Sequence, residues 1–296
     1  DGVVVPGIGV ALIDGTAPHI VDPKNPGAVD EIIHLGDFWD ESKLRTHKAE
    51  IMELNREVAR NFERAYRFLK AAKHVYDDIE AVNTAGMDFA RANRMAERLV
   101  RQVLAGRELA RKVGRERHLF ASAITPDGTV SYVDTIIGPM EHKFIVKGGP
   151  GTGKSTLLRK VAAAAVERGY DVELYHCSMN PEKIEHAVIP RLGVAVTKSI
   201  EPHVWEASPE DRVFDMDQCV DPEVASKYAR VTAEDQRLYD ELHARAVRFI
   251  AEAKRLHDLM ETYYIPAMDF VGISRLCRQT LNRILGYARE AQEKTG

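Results

Sequence analysis

KGGPGTGKST, residues 147–156, follows the apolar run Phe144-Ile145-Val146 and leads into the Ala-rich stretch from Leu157 to Arg168. Its form is Gly148, four intervening residues, then Gly153-Lys154-Ser155. This is the phosphate-binding loop pattern, and a strand before it with a helix after it is the context that pattern requires. The glycines let successive backbone N–H groups converge on phosphate oxygens without Cβ clashes, and the helix N-terminus adds its positive end. On this reading Gly148, Gly149, Pro150, Gly151, Thr152, Gly153, Lys154, Ser155 and Thr156 form the nucleotide cradle. Lys154 neutralises phosphate charge, Ser155 offers its hydroxyl to a Mg2+ ion, and Thr156 opens the helix. The motif assigns binding and leaves turnover open.

The 296 residues are 45% apolar, enough for a buried core in one large domain or two ordinary ones. A net charge of −4 gives no global field toward nucleic acid or an anionic membrane. No apolar run reaches the length of a membrane span, and no basic-then-apolar signal segment opens the chain. Cys177, Cys219 and Cys277 lack CxxC spacing, which suits a reducing cytoplasm and buried apolar roles. From Arg91 to Arg117 eight arginines and Lys112 face only Glu97, Glu108 and Glu116. Without interleaved aromatics for base stacking, that segment reads as a solvated helix face rather than a nucleic-acid groove.

The chain also matches itself. VVVPGIGVALIDGTAPHI at 3–20 aligns with AVIPRLGVAVTKSIEPHV at 187–204, so that Pro6, Gly9 and His19 fall on Pro190, Gly193 and His203. Farther on, Asp30 and Asp40 fall on Asp211 and Asp221, and Met87-Asp88-Phe89 falls on Met268-Asp269-Phe270. The expectation is a tandem duplication with repeats at 1–112 and 113–296, the first opening beyond its own phosphate loop, which would lie upstream of Asp1.

Within a repeat, strands alternating with helices predict an α/β fold, a parallel sheet covered on both faces. The expected strands of the second repeat include 171–177 and 193–199, with a helix between them, and a hairpin turning at Asp127-Gly128. Apolar residues at Ile51, Leu54, Val58, Phe62, Ala65, Leu69, Ala72, Tyr76 and Ile79 mark one face of a long helix. Leu238, Leu242, Ala246, Phe249, Ala253, Leu256, Met260 and Tyr263 mark another. Each is followed by a shorter helix after Met-Asp-Phe, which predicts two antiparallel helical hairpins packed internally, with a protein partner as the alternative use of those faces.

The phosphate loop, the repeat, the block DGTAPHIVDPKNPGAVDEIIHLGDFWD and the two Met-Asp-Phe turns together resemble a family of bacterial proteins with tandem P-loop domains. The resemblance covers nearly the whole chain and implies ATP binding on a doubled P-loop architecture. The adenine preference comes from that resemblance alone.

Turnover needs an acid at the end of an apolar strand to hold magnesium. The first repeat offers Asp14 after Val10-Ala11-Leu12-Ile13, whereas the matching position of the second is Lys198. Three arrangements stay open: Asp14 completes a shared site; Glu173, Asp215 or Asp217 substitutes; or the second repeat holds nucleotide without cleaving it. His19, His203 and His176 follow strands at the sheet edge where ligands of α/β folds bind, as phosphate contacts, bases or turn caps. The functional alternatives to an ATPase are a small-molecule or nucleotide kinase, with Arg191 on the transferred group, and a non-catalytic scaffold.

Overall fold

The computed structural model describes residues 2–16 and 20–293, so His19 lies outside the described residues. In chain order the elements are β1 Gly2–Val5, β2 Val10–Ile13, α1 Glu41–Thr46, α2 Lys48–Ala85, α3 Phe89–Val103, β3 Glu116–Phe120, β4 Ser122–Thr125 and β5 Gly128–Ser131. They continue with α4 Val133–Ile137, β6 His142–Lys147, α5 Lys154–Glu167, β7 Val172–His176, β8 Ile184–Ile189, β9 Val194–Lys198, β10 Arg212–Asp215, α6 Pro222–Tyr264 and α7 Phe270–Glu293. Two compact units result: Asp1–Asn55 with His257–Gly296, and Arg56–Leu256. The long helices α2 and α6 contribute residues to both.

The larger unit is mixed α/β, built on a six-stranded sheet in the order β10-β6-β9-β8-β7-β3. Five strands run parallel and β8 alone is reversed, antiparallel to both β7 and β9. This corrects the expected all-parallel sheet and the expected helix between the strands at 171–177 and 193–199. The reason is the connection: β8 reaches β9 through the short turn Pro190–Leu192 and Gly193 at φ 60°, which leaves no room for the dozen or more residues of a crossover. Ile184–Ile189 is buried throughout, so its sequence lacks the alternation that identifies a half-exposed strand. The hairpin expected at Asp127-Gly128 is present as β4 and β5.

One face of this sheet is covered by α5 and α3, whose Leu158, Val161, Met95 and Leu99 join Val146, Leu174, Ile189 and Val196 in one apolar cluster. The other face carries α4, with Val133 and Ile137 against Tyr175, Val188 and Ala195. Asp88 caps α3 by accepting from the Arg91 amide at 2.9 Å, a contact worth about 1 kcal/mol.

The helical hairpins pair differently from the expectation. Instead of folding back on α2, α3 packs on α5, while α2 lies against α6. Phe68 stacks on Phe249 with ring centroids 5.5 Å apart, and Tyr76 meets Tyr239 at 5.2 Å, so the two helices run antiparallel. Ala65 and Ala72 on α2 and Ala246 and Ala253 on α6 are fully buried, each pair at seven-residue spacing.

In the smaller unit β1 pairs antiparallel with β2 across the turn Pro6–Ile8, closed by Gly9 at φ 65°. Trp39 bridges Met268, the Asp269 amide donates to Phe38 O at 2.9 Å, and the Asp40 amide donates to Ala267 O at 2.7 Å. The larger unit repeats this local pattern: Met87 bridges Val220, Asp88 N donates to Cys219 O at 2.8 Å, and Asp221 N donates to Gly86 O at 2.8 Å.

A larger side chain at these fully buried alanines has to displace its neighbours. Ala72→Leu is expected to lower stability by about 1–3 kcal/mol, whereas Lys70→Leu on the exposed face stays within about 0.5 kcal/mol; urea unfolding of the two variants checks this.

Candidate functional site

The carboxyl edge of the six-stranded sheet gathers the glycine loop between β6 and α5, two lysines, two aspartates and a histidine. At that edge β6 ends in Lys147, β9 in Lys198, β10 in Asp215 and β7 in His176, while the reversed β8 begins there at Ile184. Between β6 and α5 the glycines take the conformations the loop needs, with φ of 133° at Gly148, 75° at Gly151 and 81° at Gly153. Gly151 has a second reason to be glycine, since a Cβ there would lie 2.2 Å from the Glu80 carbonyl oxygen.

The C-terminal end of α2 holds the loop in place. The Asn83 amide donates to Pro150 O at 2.7 Å, and the Thr84 hydroxyl donates to Gly151 O at 3.0 Å. Glu80 forms a close ion pair with Lys183, just before β8. From β10's end, the Asp217 carboxylate accepts the Gly149 amide at 2.7 Å, and Asp215 accepts the Asp217 amide at 3.0 Å. A loop amide is therefore already turned toward an anion.

Lys154 is buried and donates to Gly148 O at 2.6 Å and to Gly149 O. Burial, with the neighbouring charge of Lys198, depresses its ionisation to about 8. Lys198 is buried as well and is shifted below the usual lysine range, mainly by desolvation, with Glu185 opposing the shift. Two desolvated lysines at one loop form a site short of negative charge. The Ser155 hydroxyl accepts from Ile184 N at 2.8 Å and donates to Ile184 O at 2.9 Å, which ties α5 to the start of β8. Beside the loop, a cleft of about 80 Å³ is lined by Gly151, Gly153, Thr156 and Leu157 together with Met87, Phe89 and Ala92.

The sequence-derived candidates separate clearly in space. Asp217 touches the phosphate loop. Glu173 lies in the opposite half of β7, where it engages Arg117 at 3.3 Å and the Tyr175 hydroxyl at 2.9 Å. Asp14 belongs to the smaller unit and accepts from the Thr16 amide at 3.0 Å and its hydroxyl at 2.7 Å. Arg191 sits at the far end of β9 over the Tyr170 ring, so the group a kinase reading relied on is away from the loop. His176 contacts His118 at 2.8 Å. In the basic segment, Arg101 pairs with Glu97, Arg115 with Asp171 and Arg117 with Glu173, and Arg98 lies over Phe214.

His203 is fully buried, with Nδ1 2.7 Å from Ser131 Oγ and Nε2 3.0 Å from Glu185 Oε2. His186, also fully buried, is held neutral at ordinary pH because burial, with His203 beside it, pushes its ionisation down to about 3. Burial raises the Glu185 carboxyl, but the His203 hydrogen bond and the Lys198 charge outweigh it and leave the group below its ordinary value. Sequence reasoning passed over Glu185 and His186. The signal for them is a charged and an aromatic polar residue adjacent in the otherwise apolar strand IEHAVI.

No known family, curated protein or solved structure matched the chain.

The close approach at Gly151 separates two costs of a side chain. Gly106 is also at positive φ, 67°, but faces open space, so Gly106→Ala should cost about 1 kcal/mol for backbone strain alone. Gly151→Ala should cost at least twice that; thermal unfolding of both variants measures the difference.

Proposed function

We propose that this chain is an ATP-binding P-loop protein of tandem duplicated architecture, working as a Mg2+-dependent ATPase or nucleotide switch. One observation carries the reading: a glycine loop at positive φ, between a buried strand and a helix, holds a desolvated Lys154 beside a second buried lysine, Lys198. A polyphosphate is the ligand whose charge relieves both ammonium groups and whose oxygens match the loop amides.

In this reading the phosphates lie along Gly148–Ser155, where they displace the Asp217 carboxylate from the Gly149 amide and draw Lys154 from the loop carbonyls. The nucleoside extends past Thr156 into the cleft between the loop and α3, where the 60% exposed Phe89 ring and Met87 provide an apolar platform for a base. Lys198 takes a phosphate-binding part in place of the acid expected at its position. The acid passes to the strand on the other side of β6, whose end carries Asp215 and Asp217. Mg2+ would supply charge neutralisation at the phosphate oxygens, with Ser155 and Asp217 as oxygen donors. The repeated turn geometry at Gly9 and Gly193, and the hydrogen bonds shared by Asp40 and Asp221, support the duplication.

Lys154→Ala should abolish the ATP-dependent rise in melting temperature, and an unchanged rise would refute the loop assignment. Asp217→Asn should leave ATP affinity within about threefold, yet lower phosphate release at least about tenfold. Equal loss of affinity and turnover would mean that Asp217 only shapes the loop.

The pH dependence has a definite sign. Bound phosphate favours the ammonium form of Lys154, so ATP affinity should be full below pH about 8 and decline between about 8 and 10.5. The decline is at most about tenfold per pH unit for this one proton. Titrations in buffers from pH 7 to 10, with Lys154→Arg as the variant that should flatten the decline, test it.

A further inference from the structure

Behind the phosphate loop, β8 and the turn after β9 bring two imidazoles and a carboxylate together inside the protein. Thr197 fixes the state of the first imidazole. Its hydroxyl is in reach to donate to Lys198 O at 3.1 Å, and in that arrangement its oxygen accepts the 2.6 Å hydrogen bond from His186 Nδ1–H. Nε2 of His186 is therefore a bare lone pair, fully buried and without a hydrogen-bond partner among the described residues. An acceptor left dry in this way costs about 1–3 kcal/mol unless something else meets it.

Its neighbours are a carboxylate and a second imidazole, whose Nε2 donates to that carboxylate at 3.0 Å and would give up this proton to bind an ion. One ligand atom each from Glu185, His186 and His203 lies within 4.8 Å of the other two. The outer nitrogen of each ring is held by a hydroxyl, Thr197 for His186 and Ser131 for His203, the outer hydrogen bonding that orients metal-bound histidines. A transition-metal ion with bonds of about 2 Å separates neighbouring ligand atoms by about 3–4 Å, so small side-chain rotations close the set.

We propose that Glu185, His186 and His203 form a binding site for one divalent transition-metal ion of the zinc class. Two nitrogens and one carboxylate oxygen suit such an ion better than Mg2+ or Ca2+, which prefer oxygen alone. Three protein ligands leave at least one coordination position open for water or a substrate oxygen. Lys198 lies between this site and the phosphate loop and shares the Glu185 charge, so its ammonium competes with the ion. The site is separate from the Mg2+ position at Ser155 and stands whether or not the loop binds ATP.

The test is a Zn2+ titration of the full chain, stripped with chelator and free of nucleotide, followed with a competing zinc dye. One equivalent should bind. Glu185→Gln and His186→Gln should each weaken it at least about a hundredfold, and Thr197→Val, which keeps the side-chain shape, by about 10–100-fold. Lys154→Ala should leave zinc affinity unchanged, and Lys198→Met should tighten it. Circular dichroism and melting confirm that each variant is folded; if His186→Gln unfolds, Thr197→Val carries the decision. Absence of stoichiometric binding, or affinity indifferent to Glu185 and Thr197, would overturn the proposal. Loss through Lys154→Ala but not through Glu185→Gln would place the ion in the phosphate loop and overturn it equally.

Discussion

Two lysines largely withdrawn from water organise this protein. Lys154 satisfies its charge through carbonyls of Gly148 and Gly149, which only a loop of glycines can point inward together. Lys198, on the neighbouring strand, brings a second positive charge to the same edge, with Glu185 as its own counter-charge and Glu80 acting on both lysines. A buried charge without compensation costs several kcal/mol. Glu80, Asp217 and Glu185 converge on this region for that reason, and the elements carrying them, α2, the end of β10 and β8, are positioned with it.

The phosphate loop and the histidine cluster are connected by ordinary hydrogen bonds. Ser155, at the head of α5, is bonded in both directions to Ile184, the residue before Glu185 and His186. A ligand that draws the Ser155 hydroxyl away frees both Ile184 backbone groups at the start of β8. Thr197 and Lys198 supply a second connection, since one residue orients His186 and the next faces Lys154. The glycine loop and the buried imidazoles thus share two adjacent strands.

Outside the site, the recurring theme is one local solution used twice. A short turn ending in a left-handed glycine joins β1 to β2 and β8 to β9, and the Met-Asp-Phe turns make matching backbone hydrogen bonds in each unit. At both Met-Asp-Phe turns a residue of one half of the chain meets a partner from the other half. The repeats expected at 1–112 and 113–296 have other bounds than the two compact units.

The sequence determined what depends on neighbours in the chain: the glycine turn between β6 and α5, whose spacing is itself the conformational requirement, the amphipathic faces of α2 and α6 and the Asp127-Gly128 hairpin. Only the tertiary structure decided what depends on distant partners. Apolar faces on α2 and α6 are equally satisfied by any apolar surface, so periodicity could not say that they would bury against each other rather than against α3 and α7. The run Ile184–Ile189 is buried on both sides and carries no period to mark it as a reversed strand. Asp217 and Lys198 acquire their places beside the glycine loop from strand order, because β10 and β9 flank β6 only once the sheet has formed. Glu185, His186 and His203 become a cluster only because β8 runs backward beside β9. Local geometry is encoded within a few residues, whereas a charge is defined by whatever lies a few ångströms away, and that neighbour is chosen by the fold.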